Sequence, residues 1–475
     1  MSLSPAGRSR SRKPGRAKPG GADATASADA AANASGSASG DSAGSGVLAQ
    51  LRATDLRGMA RLATQATVSI SRVAEGVHQS VLGTIGLQGG EKPGSTRGLT
   101  GLVYQSIRGV TRLVDAGLQA GLSRLEPFFA TDEGDGTAVH WERQAVIAAL
   151  NGVMGDRLRH DGNPLCTHMG WYQRGLPLDT QALADTGSVP GKVLVLVHGL
   201  CMNDLQWRHD GHDHGEHLAR ELGYTPVYLR YNTGLHTSDN GAALSAALDA
   251  LVAAWPVPVT EIAVVAHSMG GLVARSACHH AATAVMAATA GSAGKAGRAT
   301  PGGAAEGRWL PLLRHLVFLG TPHHGAPLER AGQWVHVLLG STAYSRPFAR
   351  LARLRSAGIT DLRYGHVLNA DWEGRDRFRK EPDRRTPVPL PPGVACYALA
   401  ATLASRRSLA AETLVGDGLV PLNSALGVHD DPARTLQFAR SRQAVFYGTG
   451  HLAMLGDAAV ARQLVRWLTP RLPKS

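Results

Sequence analysis

From Trp141 onward the chain alternates short apolar runs of strand length with stretches of helical periodicity, and that alternation limits the fold more than any other feature. Apolar runs without polar alternation need cover on both faces, which a mostly parallel sheet built from βαβ units and flanked by helices supplies. Strands are predicted at Val193–Val197, Pro226–Tyr231, Ile262–Ala266, His315–Leu319, Val394–Ala400 and Ala444–Tyr447, in an α/β domain spanning 135–475.

One strand carries a chemical signature. Gly or Ala, any residue, Ser, any residue, Gly occurs at Ser42, Ser268 and Ser292, and in a chain so rich in Gly and Ala the pattern alone is weak. Only Ser268 follows a buried-type strand, Ile262-Ala263-Val264-Val265, and opens a helical run from Gly271 to Ala277. A sharp strand-to-helix turn strains the serine backbone and requires small neighbours, here Ala266, Gly270 and Gly271. It also presents the hydroxyl beside free helix N–H groups, as a nucleophile needs. A buried structural serine is the alternative.

The partners of such a serine are sought in chain order: serine, acid, histidine. The strand Val193–Val197 ends in His198-Gly199-Leu200, so the backbone N–H groups of Leu200 and Met269 are the expected oxyanion donors. His451, after the last strand and before a final helix at Asp457 to Leu468, is the expected base, with His429, His323 and His324 as rivals among 20 histidines. Asp417, between two glycines in Gly416-Asp417-Gly418, is the expected acid, with Asp430 and Asp431 as alternatives.

These stretches, together with Leu319-Gly320-Thr321-Pro322-His323-His324-Gly325, resemble the bacterial triacylglycerol lipases and related esterases of the α/β-hydrolase superfamily, including the PGAP1-like branch that deacylates lipid anchors. The resemblance spans roughly 193–468. It implies an α/β-hydrolase fold and hydrolysis of carboxylic esters through an acyl-serine intermediate, with a small-molecule acyl ester or lipid as substrate and no cofactor. An acyltransferase would keep the same three residues. Ala266 stands where many members carry Gly, and it is small enough for the turn.

Outside this frame the sequence is less specific. Residues 1–47 hold almost no large apolar side chain and read as a disordered tail. Residues 48–130 show two amphipathic helical patterns with a basic polar face, expected either to dock on the downstream domain or to make peripheral contact with an anionic membrane through 48–125. The latter would allow a membrane- or granule-surface binding protein with a hydrolase scaffold. A flexible loop is expected at 287–307 and a helical cap or lid at about 325–392, around Trp334, Val337, Leu338 and Leu339. His209, Asp210, His212, Asp213, His214 and His217 could serve a metal-dependent hydrolase, or form a polar loop capping a helix at Glu216–Leu222; the latter is preferred and no metal is expected.

The four cysteines lack disulfide or zinc spacing, and no signal-peptide core follows the N-terminal Arg and Lys, so a cytoplasmic protein is expected. The formal charge of +12 follows as readily from Arg-rich composition as from a polyanionic partner, and nucleic acid is not expected. Oligomeric state is left open.

Overall fold

The computed structural model describes residues 141–293, 307–326, 355–379, 382–405 and 416–470, with Asp55, Arg57, Gly58, Ala60 and Arg61. The expected tail at 1–47, most of the helical extension at 48–130, residues 294–306 of the expected loop and 327–354 of the expected lid lie outside the described residues.

The described chain opens with helix α1 (Trp141–His160), a hairpin of β1 (Gly170–Gln173) and β2 (Leu176–Pro177), and α2 (Thr180–Asp185). It continues through β3 (Lys192–Val197), a small hairpin of β4 (Arg208–His209) and β5 (His212–Asp213), α3 (His214–Leu222), β6 (Thr225–Arg230) and α4 (Thr237–Ala254). Then come β7 (Glu261–His267), α5 (Met269–Ala293), β8 (Leu313–Leu319), α6 (Ala357–Asp361), β9 (Ala395–Thr402), α7 (Leu422–Ala425), β10 (Gln443–Tyr447) and α8 (Ala458–Leu468).

Eight strands form one sheet in the order β10-β9-β8-β7-β3-β6-β1-β2. β3, β6, β7, β8, β9 and β10 pair in parallel, and β1 joins β6 antiparallel. The six strands expected from the sequence are the six parallel ones. β3 is central because its side chains are apolar on both faces. Val193, Val195 and Val197 join Leu244, Leu248, Val273 and Ala277 in one core layer, while Leu194 and Leu196 join Leu218, Val460, Leu464 and Trp467 in the other. The pleat therefore sends alternate residues of one run into two layers, under α4 and α5 on one side and α3 and α8 on the other.

After β3 the chain crosses to β6 on one side and then to β7 on the other, so the carboxyl ends of β3 and β7 diverge at a switch point. That is where open α/β sheets place their chemistry. α5 runs to Ala293, into the stretch expected to be loop from 287. Its Ala-rich sequence suits a helix interior, because Ala loses no side-chain entropy there.

The described turn of the N-terminal extension touches the domain. Asp55 pairs with Arg143 through contacts of 2.6 and 2.7 Å, and the Gly58 carbonyl accepts from Asn163 Nδ2 at 3.0 Å. Among the described residues no helix is long and apolar enough to cross a membrane.

Candidate active site

Ser268 sits between β7 and α5 with φ +54°, left-handed backbone that a non-glycine residue adopts only under constraint. Its N–H donates to the Leu319 carbonyl at 2.8 Å and its carbonyl accepts from Gly271 N at 3.0 Å, so β8 on one side and the first turn of α5 on the other hold the strained conformation. Of the three small residues foreseen around it, Gly270 and Gly271 are sterically required. A Cβ on Gly270 would lie 2.5 Å from the Val197 carbonyl oxygen, and one on Gly271 would lie 2.0 Å from Thr321 Oγ1. The turn after β3 approaches as closely: a Cβ on Gly199 would come within 2.9 Å of Ser268 Cβ. Leu200, next along that turn, is therefore beside the serine, and Met269 is the first residue of α5. Among the described residues neither N–H has a hydrogen-bond acceptor.

His451 and Asp417 meet across 2.7 Å, Nδ1 to Oδ2, with both side chains buried. Asp417 is fixed by its own turn: Oδ1 accepts from Leu419 N at 3.0 Å and Val420 N at 2.8 Å, while its carbonyl accepts from His451 N at 3.0 Å. Gly416 (φ +50°) and Gly418 (φ +96°) supply the left-handed backbone that makes the turn possible.

This pair lies at the serine's end of the sheet. The ring of His267, the residue before Ser268, stands 4.7 Å from the His451 ring and contacts the His451 carbonyl through Nε2 at 3.1 Å. Gly320 follows Leu319, which anchors Ser268, and its Cα faces both partners: a Cβ there would lie 3.1 Å from Asp417 Oδ2 and 3.2 Å from His451 Cε1. Ser268 is 1 % exposed and His451 2 %. The Ser268 hydroxyl has no hydrogen-bond partner among the described residues, an arrangement seldom kept for structural reasons.

Gly320 offers a test of this packing. Its φ of +57° strains any L side chain, and the added methyl of Gly320→Ala would also come within 2.6 Å of Met454 Cε. A loss of about 1–3 kcal/mol is expected, read as a thermal midpoint several degrees lower. An unchanged midpoint would count against the close approach of Gly320 to Asp417 and His451.

Two neighbouring histidines are held neutral. Burial pushes His267 well below its ordinary range and takes His198 to about 3. The His198 ring stacks on Tyr231, whose hydroxyl donates to the His198 carbonyl at 2.8 Å, which stiffens the turn carrying Gly199 and Leu200.

The rivals are placed elsewhere. His323 packs against Phe318 and Phe438, while His429 accepts from Asp431 N at 2.9 Å in the loop before β10. Asp431 caps a short turn by accepting from Ala433 N at 2.9 Å. In the His-rich loop Asp213 caps α3, accepting from Gly215 N at 2.7 Å, and also accepts from the Tyr228 hydroxyl at 2.7 Å. His214 contacts His212 and the Met454 carbonyl, each at 2.9 Å, so its two ring nitrogens are both engaged. Among the described residues no three His, Cys, Asp or Glu side chains converge as metal ligands.

Not foreseen from the sequence were the buried Asp204–Arg230 pair at the end of β6 and Asp361, which faces His236 and His366 at 3.1 and 3.4 Å. A charged residue closing an apolar strand, as Arg230 does, was the available signal for the first.

Strand order, the crossover at β3 and the elbow after β7 define an α/β-hydrolase fold. No family model matches the chain, and no curated protein matches it. Among solved structures it is similar to the mature lipase of Bacillus licheniformis, at 18% identity and a TM-score of 0.34 over 57% of this chain and 91% of that one. It is also similar to Aspergillus fumigatus lipase B, at 10% identity and a TM-score of 0.33 over 58% of this chain and 54% of that one. A hyperthermophilic esterase from Pyrobaculum calidifontis matches at 14% identity and a TM-score of 0.31, over 72% of this chain and 93% of that one. Values this low describe a shared outline and carry nothing about activity.

Proposed function

We propose that the chain is a serine hydrolase of carboxylic esters, with Ser268 as nucleophile, His451 as base, Asp417 as the acid that orients it, and the N–H groups of Leu200 and Met269 as the oxyanion hole. The observation that carries this reading is the strained, unpartnered Ser268 at the end of β7, one residue from the ring that packs on the buried His451–Asp417 pair.

In this mechanism Ser268 Oγ attacks the ester carbonyl as its proton passes to His451. The tetrahedral oxyanion sits against the two backbone N–H groups and the helix dipole of α5. Collapse releases the alcohol, which takes the proton from His451. Water, deprotonated by the same ring, then attacks the acyl-serine, releasing the acid and restoring the hydroxyl. The substrate class is an acyl ester or lipid.

The test is hydrolysis of 4-nitrophenyl esters from short to long acyl chains, with chelator present, followed by mass spectrometry of the Ser268 peptide after brief exposure to a slowly deacylating ester. Turnover in chelator with an acyl adduct on Ser268 is expected. Turnover without that adduct, or turnover abolished by chelator, would overturn the assignment.

A further inference from the structure

A cavity of about 470 Å³ lies beside α5, separate from the serine site: Ser268, Asp417 and His451 do not line it. Its polar lining is cationic. Arg275 of α5, Arg385, Arg434 and Arg442 contribute guanidinium groups from four parts of the chain, His323 and His324 contribute imidazoles, and among the described residues no carboxylate lines it.

Two of the four guanidinium groups, those of Arg385 and Arg434, are ion-paired, and those of Arg275 and Arg442 have no carboxylate partner among the described residues. Arg275 is buried, with Nη2 donating to the Val388 carbonyl at 2.6 Å and Nε without a partner among the described residues. Burial, and then the nearby Arg385, push its pKa down only to about 10, so it stays charged at neutral pH. Arg385 and Arg434 share Asp383, at 2.8 and 3.4 Å, and Arg434 also reaches Asp431 at 3.3 Å. Arg442 lies over the Tyr397 ring, 5.5 Å from its centroid, and has no ion pair among the described residues. His323 is buried with both ring nitrogens unpartnered among the described residues, and burial holds it neutral.

A buried cation without a counter-charge is costly, and bringing several guanidinium groups to one cavity adds their mutual repulsion. Anchoring the Val388 carbonyl accounts for one donor of Arg275. It leaves its Nε, the His323 nitrogens and the shortage of negative charge without a role. Four guanidinium groups around one cavity, two of them without a carboxylate partner, suit a tetrahedral oxyanion of more than one charge, and the volume leaves room for a small organic body beside it. We propose that this cavity binds a phosphate group, free or carried as a monoester on a small alcohol.

The test is calorimetric titration of the full chain at neutral pH and low salt with inorganic phosphate and, separately, glycerol 3-phosphate. Saturable binding is expected, weakened about 10- to 100-fold by Arg275→Gln and by Arg442→Gln. Arg442 is only partly buried, so its replacement keeps the result readable if Arg275→Gln fails to fold. Ser268→Ala should bind as the unsubstituted chain does, which keeps this site's outcome apart from that of ester hydrolysis. Tighter binding of glycerol 3-phosphate would support the esterified source, and equal or tighter binding of inorganic phosphate the free one. No binding of either anion, affinity unchanged in both arginine variants, or loss of binding in Ser268→Ala would overturn the proposal.

Discussion

Ser268→Ala is expected to lower kcat for ester hydrolysis by about 10⁴- to 10⁶-fold, His451→Ala by a similar factor, and the double variant by no more than either alone. The reasoning is that the nucleophile and its base act as one unit: an imidazole without a hydroxyl to deprotonate contributes little, and a hydroxyl without its base is a weak nucleophile. Stability should move differently. The Ser268 hydroxyl has no partner among the described residues, so the alanine variant forfeits no such hydrogen bond and should melt at or above the temperature of the unsubstituted chain. Steady-state kinetics on the three variants and one thermal melt decide the matter. Multiplying losses, or a Ser268→Ala variant that melts well below the parent, would mean that Ser268 is structural and the chemistry lies elsewhere.

Acidification should unfold the protein between roughly pH 6.5 and 4, beginning about two units above the ordinary carboxylate pKa values. Burial holds His198 at about 3, His214 and His324 at about 4, and His267 and His323 well below their ordinary range. In the unfolded chain each would titrate near 6.5. Below that value the unfolded chain takes up protons that the folded one refuses, so the stability these groups contribute is complete above about pH 6.5. It is lost progressively as pH falls towards their folded values. For His214 alone the gap is worth about 3 kcal/mol by the usual conversion of 1.36 kcal/mol per unit, and losses from several such groups together approach the whole stability of an ordinary domain. Circular dichroism across the pH range should show a cooperative transition in that window, with proton uptake on unfolding at pH 5. A native spectrum at pH 4 would mean that these rings are solvated or paired in the folded state.

The parallel strands and the elbow were legible because both are local patterns. A double-faced apolar run such as Val193–Val197 has few alternatives to a central strand, and Ser268 was separable from Ser42 and Ser292 by the strand before it and the helix after it. The turn at Asp417 was legible through its glycines, whose positive φ values shape it. The β1–β2 hairpin escaped notice because Gly170-Trp171-Tyr172-Gln173 is too short and mixed to carry a period. The end of α5 was read as loop because Ala and Gly runs are ambiguous by composition, although Ala itself favours helix. The cationic cavity had no local signature: Arg275, Arg385, Arg434 and Arg442 are distant in sequence and become neighbours only through the order of β8, β9 and β10.

The turn at Asp417 settles one further matter. Its Oδ1 is already taken by the N–H groups of Leu419 and Val420, so only Oδ2 remains for the imidazole. A carboxylate can only accept, and in a neutral ring that obliges the proton to reside on Nδ1 of His451 and the lone pair on Nε2. The tautomer of a neutral His451 ring is thus set by the carboxylate it faces, and the two backbone amides of Leu419 and Val420 hold that carboxylate in place.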